Sequence, residues 1–295
     1  MKLTNKMQLP NALFRAISSD PYTKGKSDFS VTELLQPPRI RALKLKHAEE
    51  IEEDVGDRVW SLLGQSVHTI LERANDDKRA IAEKRYFGKF GKYTVSAQID
   101  SLDLDSGVLS DYKVTTAWGF LKDNPPKPEW VQQLNMQLML LRMNGLDARE
   151  LKIVGILRDF NLRESKNNPN YPKFQVATAD IVMWSREETT AFIEDRIRLH
   201  LSAEVNLPYC SDEEKWSSPS KFAVMKGSNK RAVKLVDSLI EAQDYLANGA
   251  GDRIEARRGE ARRCTSYCPV NKFCSVYQQT IKEQSNAIGI SNREM

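Results

Sequence analysis

No run of apolar residues in this sequence is long enough to cross a bilayer, and Met1–Asp28 lacks the apolar core of a secretory signal. Both absences predict a cytoplasmic protein that does not engage a membrane. Net charge is small too. Against 40 Asp and Glu stand 44 Lys and Arg, leaving +4 at pH 7, a balance that permits nucleic-acid binding without demanding it. Cysteine is scarce, four in 295 residues, and three of the four lie within Cys264–Cys274. In a cytosolic chain such clustering argues for metal ligation over disulfides. The remaining composition, 40% hydrophobic and 28% charged, is that of a globular chain able to bury a full core, as one large domain or a core with appendages.

The stretch richest in chemistry runs from Val95 to Val114. Val95, Ala97 and Ile99 alternate with Thr94, Ser96, Gln98 and Asp100, the period of a strand. A turn follows at Asp103–Gly107, with the glycine where positive φ is wanted. The second strand of the hairpin, Val108–Val114, puts Asp111 and Lys113 on one face. If the strands pair, Asp100 comes beside Asp111. Two close carboxylates repel unless a cation or a proton lies between them, and Asp oxygens suit Mg2+ or Mn2+. Such an ion activates water and holds phosphate oxygens, and Lys113 could orient that water or offset charge on phosphorus. On spacing alone the same residues read equally well as turn-flanking acids and a surface lysine.

Residues 1–28 read as a loose arm. Ser30 with Glu33 forms a capping box for a short helix stopped by Pro37–Pro38, and the acidic run Glu49–Asp54 reads as a solvated face. A helix is predicted from Asp57 to Asn75, with Trp60, Leu63, Val67, Ile70, Leu71 and Ala74 as its apolar stripe. His68 lies off the edge of that stripe, Gly64 one turn before it and Glu72 one turn after. Glycine there is tolerable where something must approach closely. His68 reads as a structural residue or a metal ligand, and the acidic hairpin that follows moves the balance towards a ligand. Ile81–Phe87 is a plausible strand, with Glu83 on it.

Beyond a proline-broken loop at 124–128, a helix from Glu129 to Asn144 carries Gln133 and Gln137 on the side of Trp130 and Leu141. These amides either bond to the sheet or reach a substrate. Strands at 151–160 and 173–184 around a polar loop, then a helix capped by Ser185 and Glu188, complete an α/β or α+β core with a mixed sheet. A second module begins near Leu207, with a hairpin over Gly227–Asn229 and a helix from Ser238 to Asn248. Arg253, Arg257, Arg258, Arg262 and Arg263 then run into Cys264. With Lys226, Lys230 and Arg231 they could line a phosphate-tracking groove, or merely solvate a helix. The tail from Ile281 reads as disordered.

In this order the pieces resemble the RecB-type branch of the PD-(D/E)XK nuclease superfamily. Gly64-x-x-x-His68-x-x-Leu71-Glu72 is similar to its Gly-x-x-x-His helix, Glu83 stands where an acid precedes the first core strand, and Asp100 fits the first metal-binding Asp. Asp111–Tyr112–Lys113 fits the signature itself, and Gln133–Gln137 resembles a Gln-x-x-x-Tyr helix with Gln137 at the Tyr position. The likeness spans about residues 30–185. It implies a restriction-endonuclease-like core over 29–206 with a cysteine-containing module at 207–280. Metal would be held by His68, Asp100, Asp111 and the Tyr112 carbonyl. Lys113 would be the catalytic lysine, Gln133 a support for substrate or nucleophile, and Gln137 with the basic residues just named a contact to DNA. Several such nucleases, AddB-like ones among them, hold a 4Fe–4S cluster on one cysteine before the core and three after it. Here Cys264-x(3)-Cys268 and Cys274 are similar to the later three, with a first gap one residue longer, while Pro37–Pro38–Arg39 replaces the early cysteine. Cys210 is then the remaining fourth ligand, for iron–sulfur or for zinc. The layout also resembles phage exonucleases that work beside a single-strand annealing protein in recombination and repair. Three functions follow: an Mg2+/Mn2+-dependent DNA exonuclease, a structure-specific or restriction-type endonuclease, and a non-catalytic nucleic-acid-binding module.

Overall fold

The computed structural model describes residues 2–19, 23–75, 79–121 and 126–291, with backbone alone over 284–291. In chain order the elements are β1 (Lys2–Thr4), α1 (Asn11–Ser18), β2 (Phe29–Ser30), α2 (Val31–Leu35), α3 (Pro38–Lys46), β3 (Glu52–Asp54), α4 (Val59–Ala74), β4 (Ala80–Phe90), β5 (Tyr93–Asp103) and β6 (Val108–Thr115). Then come α5 (Ala117–Leu121), α6 (Pro128–Met143), β7 (Glu150–Leu157), α7 (Leu162–Asn167), β8 (Val176–Ile181) and α8 (Arg186–Val205). The last are β9 (Lys221–Met225), β10 (Lys234–Val236), α9 (Leu239–Ala247), β11 (Arg253–Arg257) and α10 (Ser275–Ser291). Two compact units divide the chain, Met1–Arg41 with Ala48–Asn206, and Ala42–His47 with Leu207–Met295. Among the described residues no helix is long and apolar enough to cross a membrane.

The first unit is α+β: a mixed six-stranded sheet flanked by helices. Its order is β2-β5-β6-β7-β8, with β4 along the other edge of β5. β2 runs parallel to β5 and β6 parallel to β7, and the other pairs are antiparallel. The core joins Val95, Ile99, Leu102, Leu109 and Ile153 of the strands to Leu134, Leu138 and Leu141 of α6, each at most 1% exposed. α6 is apolar on most of its circumference, as a helix laid across a sheet and beneath α2 and α8 must be. Its buried Asn135 is satisfied, donating to the carbonyls of Val131 and Val182 and accepting from Trp184 N–H. Both expected capping boxes form, at Ser30/Glu33 and Ser185/Glu188. The carbonyls at the end of α2 are met by α8: Arg196 donates to Leu34 (2.8 Å) and Gln36 (2.7 Å), and His200 Nε2 to Leu34 (3.1 Å).

Several expectations are corrected. The N-terminal residues are not a loose arm. β1 pairs with β3, and the Asp54 carboxylate accepts from Thr4 Oγ1 and Lys6 N–H at 2.8 Å each. The acidic run thus contributes a strand that fastens the start of the chain. The segment read as a polar loop, Glu164–Asn170, begins within a short helix, α7, capped by Asn161. The apolar stripe of α4 does not enter the core. No residue of α4 is buried, and Trp60 and Ile70 are 61% and 62% exposed. Its polar flank instead carries His68 to the largely covered carboxylates of Glu83 and Asp100. Among the described residues, the helix's own backbone aside, nothing lies within 4 Å of where a Gly64 Cβ would stand. The first two residues of the 124–128 loop lie outside the described residues.

In the second unit β9 is flanked by β10 and β11, both antiparallel. Its core is thin: Val224, Val236 and Ala242, with Phe222, Tyr245 and Ile254 packed on them. Arg253–Arg257 is a strand, not a helix, because its arginines and Glu255 alternate with Ile254 and Ala256, which gives one apolar face. Residues 281–291, expected as a disordered tail, continue α10, and 292–295 lie outside the described residues.

Candidate metal centre

The site is built where β5 changes partner. Along one edge β5 pairs first with β2, at Val95–Ser96, and then with β6, at Ser101↔Ser110 and Leu102↔Leu109. Between these two stretches the strands fork. Gly107 makes the turn with φ +73°, and the Asp103 carboxylate takes the N–H groups of Asp105 and Ser106. One residue past the last β5–β6 pair, Asp100 replaces the missing ladder bond, its Oδ2 accepting from Tyr112 N–H at 2.7 Å. Asp100 therefore stands beside Asp111, as the hairpin reading expects.

Two elements bring further ligands. His68, from α4, lies with Nδ1 3.0 Å from Glu83 Oε1 and 3.6 Å from Asp100 Oδ1. Glu83 interrupts β4: Ala82 pairs with Ser101 and Lys84 with Ile99, yet Glu83 itself has φ +48°. Left-handed backbone in a non-glycine strand residue is strained and persists only where surrounding contacts enforce it. Here they do, since Glu83 Oε1 meets His68 and Oε2 accepts from Gln98 Nε2 at 2.7 Å. One ligand atom from each of His68, Glu83 and Asp100 lies within 4.8 Å of the others, the only such trio of His, Cys, Asp or Glu among the described residues. The sequence places Glu83 on a strand as an acid preceding the hairpin, without its tie to His68, and gives Gln98 no role. The usable signal for Gln98 was its place two residues before Asp100 on the same strand face.

The second carboxylate, Asp111, is held by a different set of partners. Asp111 is fully buried. Its Oδ1 accepts from Gln133 Nε2 at 2.6 Å, and its Oδ2 lies 2.6 Å from Lys113 Nζ as an ion pair without hydrogen-bond geometry. Lys113 also donates to Gln133 Oε1 at 3.0 Å. Asp111, Lys113 and Gln133 form a closed triangle, with the ammonium about a quarter exposed towards the fork. The Tyr112 ring stands edge-on to His68, centroids 6.4 Å apart.

The electrostatics follow. Burial, and then the charge of Asp111, push the Asp100 carboxyl up to about 7. The His68 imidazole is raised, first by its hydrogen bond to Glu83 and then, against burial, by Asp100 and the other acids. Burial opposes ionisation of Glu83, but the bonds from His68 and Gln98 outweigh it and hold the group below its usual range. His68 Nδ1 thus either carries a proton between two acids or offers its lone pair to a cation in the same place. A nitrogen and two carboxylates within reach of one point suit a divalent ion such as Mn2+ or Mg2+, and the repulsion at Asp100 is what such an ion relieves.

Gln137 does not reach this site. It is 2% exposed and donates to the Gln98 carbonyl at 3.3 Å, so the bond to the sheet wins over contact with nucleic acid. In the second unit Lys226, Lys230, Arg231, Arg257, Arg258 and Arg262 are exposed. Arg263 is instead a brace: its guanidinium lies 4.7 Å from the Trp216 ring centre and donates to the Glu214 carbonyl. None of the four cysteines is in a disulfide. The Cys264 and Cys268 thiols are pushed up, by burial first and then by the charge of neighbouring cysteines. The chain just after Cys210 returns beside Cys264 through Arg263 N–H to Lys215 O (3.0 Å) and the Ser217–Ala261 bridge.

No family model matches this chain, and no curated protein matches it. Among solved structures it is similar to the crystal structure of SSO0001, at 18% identity over 63% of this chain and 84% of that chain, with a TM-score of 0.45.

Proposed function

We propose that this protein is a metal-dependent deoxyribonuclease of the PD-(D/E)XK superfamily, RecB-type branch, acting as an exonuclease in DNA recombination or repair. The observation that carries the reading is the convergence at one fork of Asp100, Asp111 and Lys113 with His68 and Glu83. Residues from α4, β4, β5 and β6, far apart in sequence, support the reading by meeting there, although the trio within reach of one ion includes Glu83 where the resemblance implies Asp111 and the Tyr112 carbonyl. His68, Glu83 and Asp100 would hold the ion, with Asp111 adjoining. A divalent cation there supplies Lewis-acid polarisation of the phosphate and a more acidic bound water. The chain's own part is positional. Lys113, clamped by Asp111 and Gln133, presents an ammonium that orients the attacking water and offsets charge developing on phosphorus.

The exposed basic residues of the second unit suit a DNA backbone, and a single-strand annealing protein is the partner that the resemblance proposes. The four cysteines are proposed to hold one structural centre. Iron–sulfur is favoured over zinc because Cys264, Cys268 and Cys274 are similar in spacing to the cluster-binding run of the resembled nucleases.

The test is incubation of purified protein with end-labelled linear and closed circular DNA in Mg2+ or Mn2+, alongside Asp111→Ala and Lys113→Ala. Loss of linear DNA with circles intact, abolished in both variants, supports the exonuclease. Cutting of circles makes it an endonuclease, and no hydrolysis of any DNA leaves a binding module.

A further inference from the structure

Two exposed tryptophans lie on elements that also lead to the candidate site, Trp60 on the helix of His68 and Trp118 just after the strand of Lys113, and have no part in the chemistry above. Trp60, in the first turn of α4, is 61% exposed, with the Arg158 guanidinium carbon 3.9 Å from its ring centre. Arg158 directly follows β7, and its N–H donates at 3.0 Å to the carbonyl of Thr115, the last residue of β6. Trp118, in α5, is 50% exposed and edge-on to Tyr171 at 5.5 Å. α5 is firmly seated. Asp159 Oδ1 accepts from Ala117 N–H at 2.7 Å, and Phe120 packs so closely over Gly155 that a Cβ there would stand 2.5 Å from the ring. Arg158 and Trp118 thus sit at the C-terminal edge of the parallel β6–β7 pair. Trp118 is five residues beyond Lys113. Trp60 precedes His68 by eight residues on one helix, about 12 Å along its axis, or three to four base steps at about 3.4 Å each.

An indole covered on one side by a guanidinium and open on the other is a surface of particular chemistry. The cation–π pair fixes the ring, the open face accepts a planar ring, and the positive charge sits where a phosphate would follow. Unpaired bases bind such faces, whereas bases in a closed duplex are already stacked on each other. We propose that Trp60 with Arg158, and Trp118, form a stacking platform for the unpaired bases of single-stranded or frayed DNA entering the fork. Its purpose rests on the nuclease reading, but stacking is measurable without hydrolysis.

The experiment is titration of the full-length protein, in EDTA, with oligothymidylate and with a blunt duplex hairpin, reading tryptophan fluorescence and anisotropy of labelled DNA. The expected result is quenching by oligothymidylate. Trp60→Ala and Trp118→Ala should each weaken that affinity about 5- to 100-fold, with Trp60→Phe retaining most of it and hairpin affinity unchanged in all three. Melting temperatures equal to wild type exclude a folding effect. Affinity for oligothymidylate unchanged in both alanine variants, or lost in equal proportion for the hairpin, overturns the platform. Stacking as described with no hydrolysis in Mg2+ or Mn2+ keeps the platform and overturns the nuclease.

Discussion

Gln133→Ala isolates the part of the site that the fold holds most tightly. Among the described residues Gln133 Nε2 is the one hydrogen-bond donor to the Asp111 side chain, at 2.6 Å, and Gln133 Oε1 accepts from Lys113 at 3.0 Å. Truncation removes both bonds. Lys113 is partly exposed and can turn to water, so its loss is small. Asp111 is fully buried and keeps an oxygen without a donor. A hydrogen bond to a charged group contributes about 1.5–3 kcal/mol, so the variant should be destabilised by about 2–3 kcal/mol, a fall of roughly 5–10 °C in Tm for a unit of this size. In an Asp111→Asn background the orphaned group is neutral and the same truncation should cost about 1 kcal/mol. The double-mutant cycle should therefore show a coupling of about 1–2 kcal/mol. DNA hydrolysis should fall about 100-fold in Gln133→Ala although every proposed metal ligand remains, because the ammonium has lost its bearing. Urea and thermal unfolding in EDTA give the stabilities, and initial rates on linear DNA give the activity. Additive stabilities in the cycle, or full activity in Gln133→Ala, would refute the triangle as the device that aims Lys113.

Four further outcomes are expected. His200 is fully buried with a bare Nδ1, and burial first of all holds its imidazole down at about 4. Its stabilisation is complete above about pH 6.5 and is lost as pH falls towards 4, by about 2–3 kcal/mol at pH 4.5. His200→Leu should match wild type near neutral pH, since Arg196 still serves the Leu34 carbonyl, and exceed it in acid; parallel acid curves for the two proteins would contradict this. Gly64→Ala should add about 1 kcal/mol of helix stability yet lower DNA hydrolysis, if the open space before it belongs to substrate; unchanged rates would leave that space without a role. His68→Ala should raise the Mn2+ concentration needed for activity with only a modest fall in Tm, since the truncation opens no core cavity and removes one partly exposed bond to Glu83; a large loss of Tm with an unchanged requirement would make His68 structural. Anaerobically purified protein should be brown and carry iron, and Cys264→Ser should lose the colour and loosen the second unit while Mn2+ binding at His68 persists; protein with neither iron nor zinc would end the proposal of a shared centre.

Much of the site was legible because its information is local. Period two along β5 and β6, a turn closed by Gly107, and Asp111 two residues before Lys113 suffice to put three charged groups on one patch of sheet. The capping boxes of α2 and α8 were equally plain, since each is satisfied within four residues. Periodicity names a face, however, and not the neighbour that will cover it. The apolar stripe of α4 pointed to the core, yet the stripe stays exposed and the flank carrying His68 meets acids supplied from β4 and β5. Gln133 and Gln137 share one side of α6, and only the passage of that helix over the sheet assigns one to Asp111 and buries the other against Gln98. Glu83 depended on a left-handed residue inside a paired strand, for which a chain of ordinary β propensity carries no local sign. What the sequence by itself determined is the chemistry available at the fork and the strands that carry it. Which groups meet was decided by tertiary structure, because long-range pairing and the burial of charge select among faces that local propensity leaves equivalent.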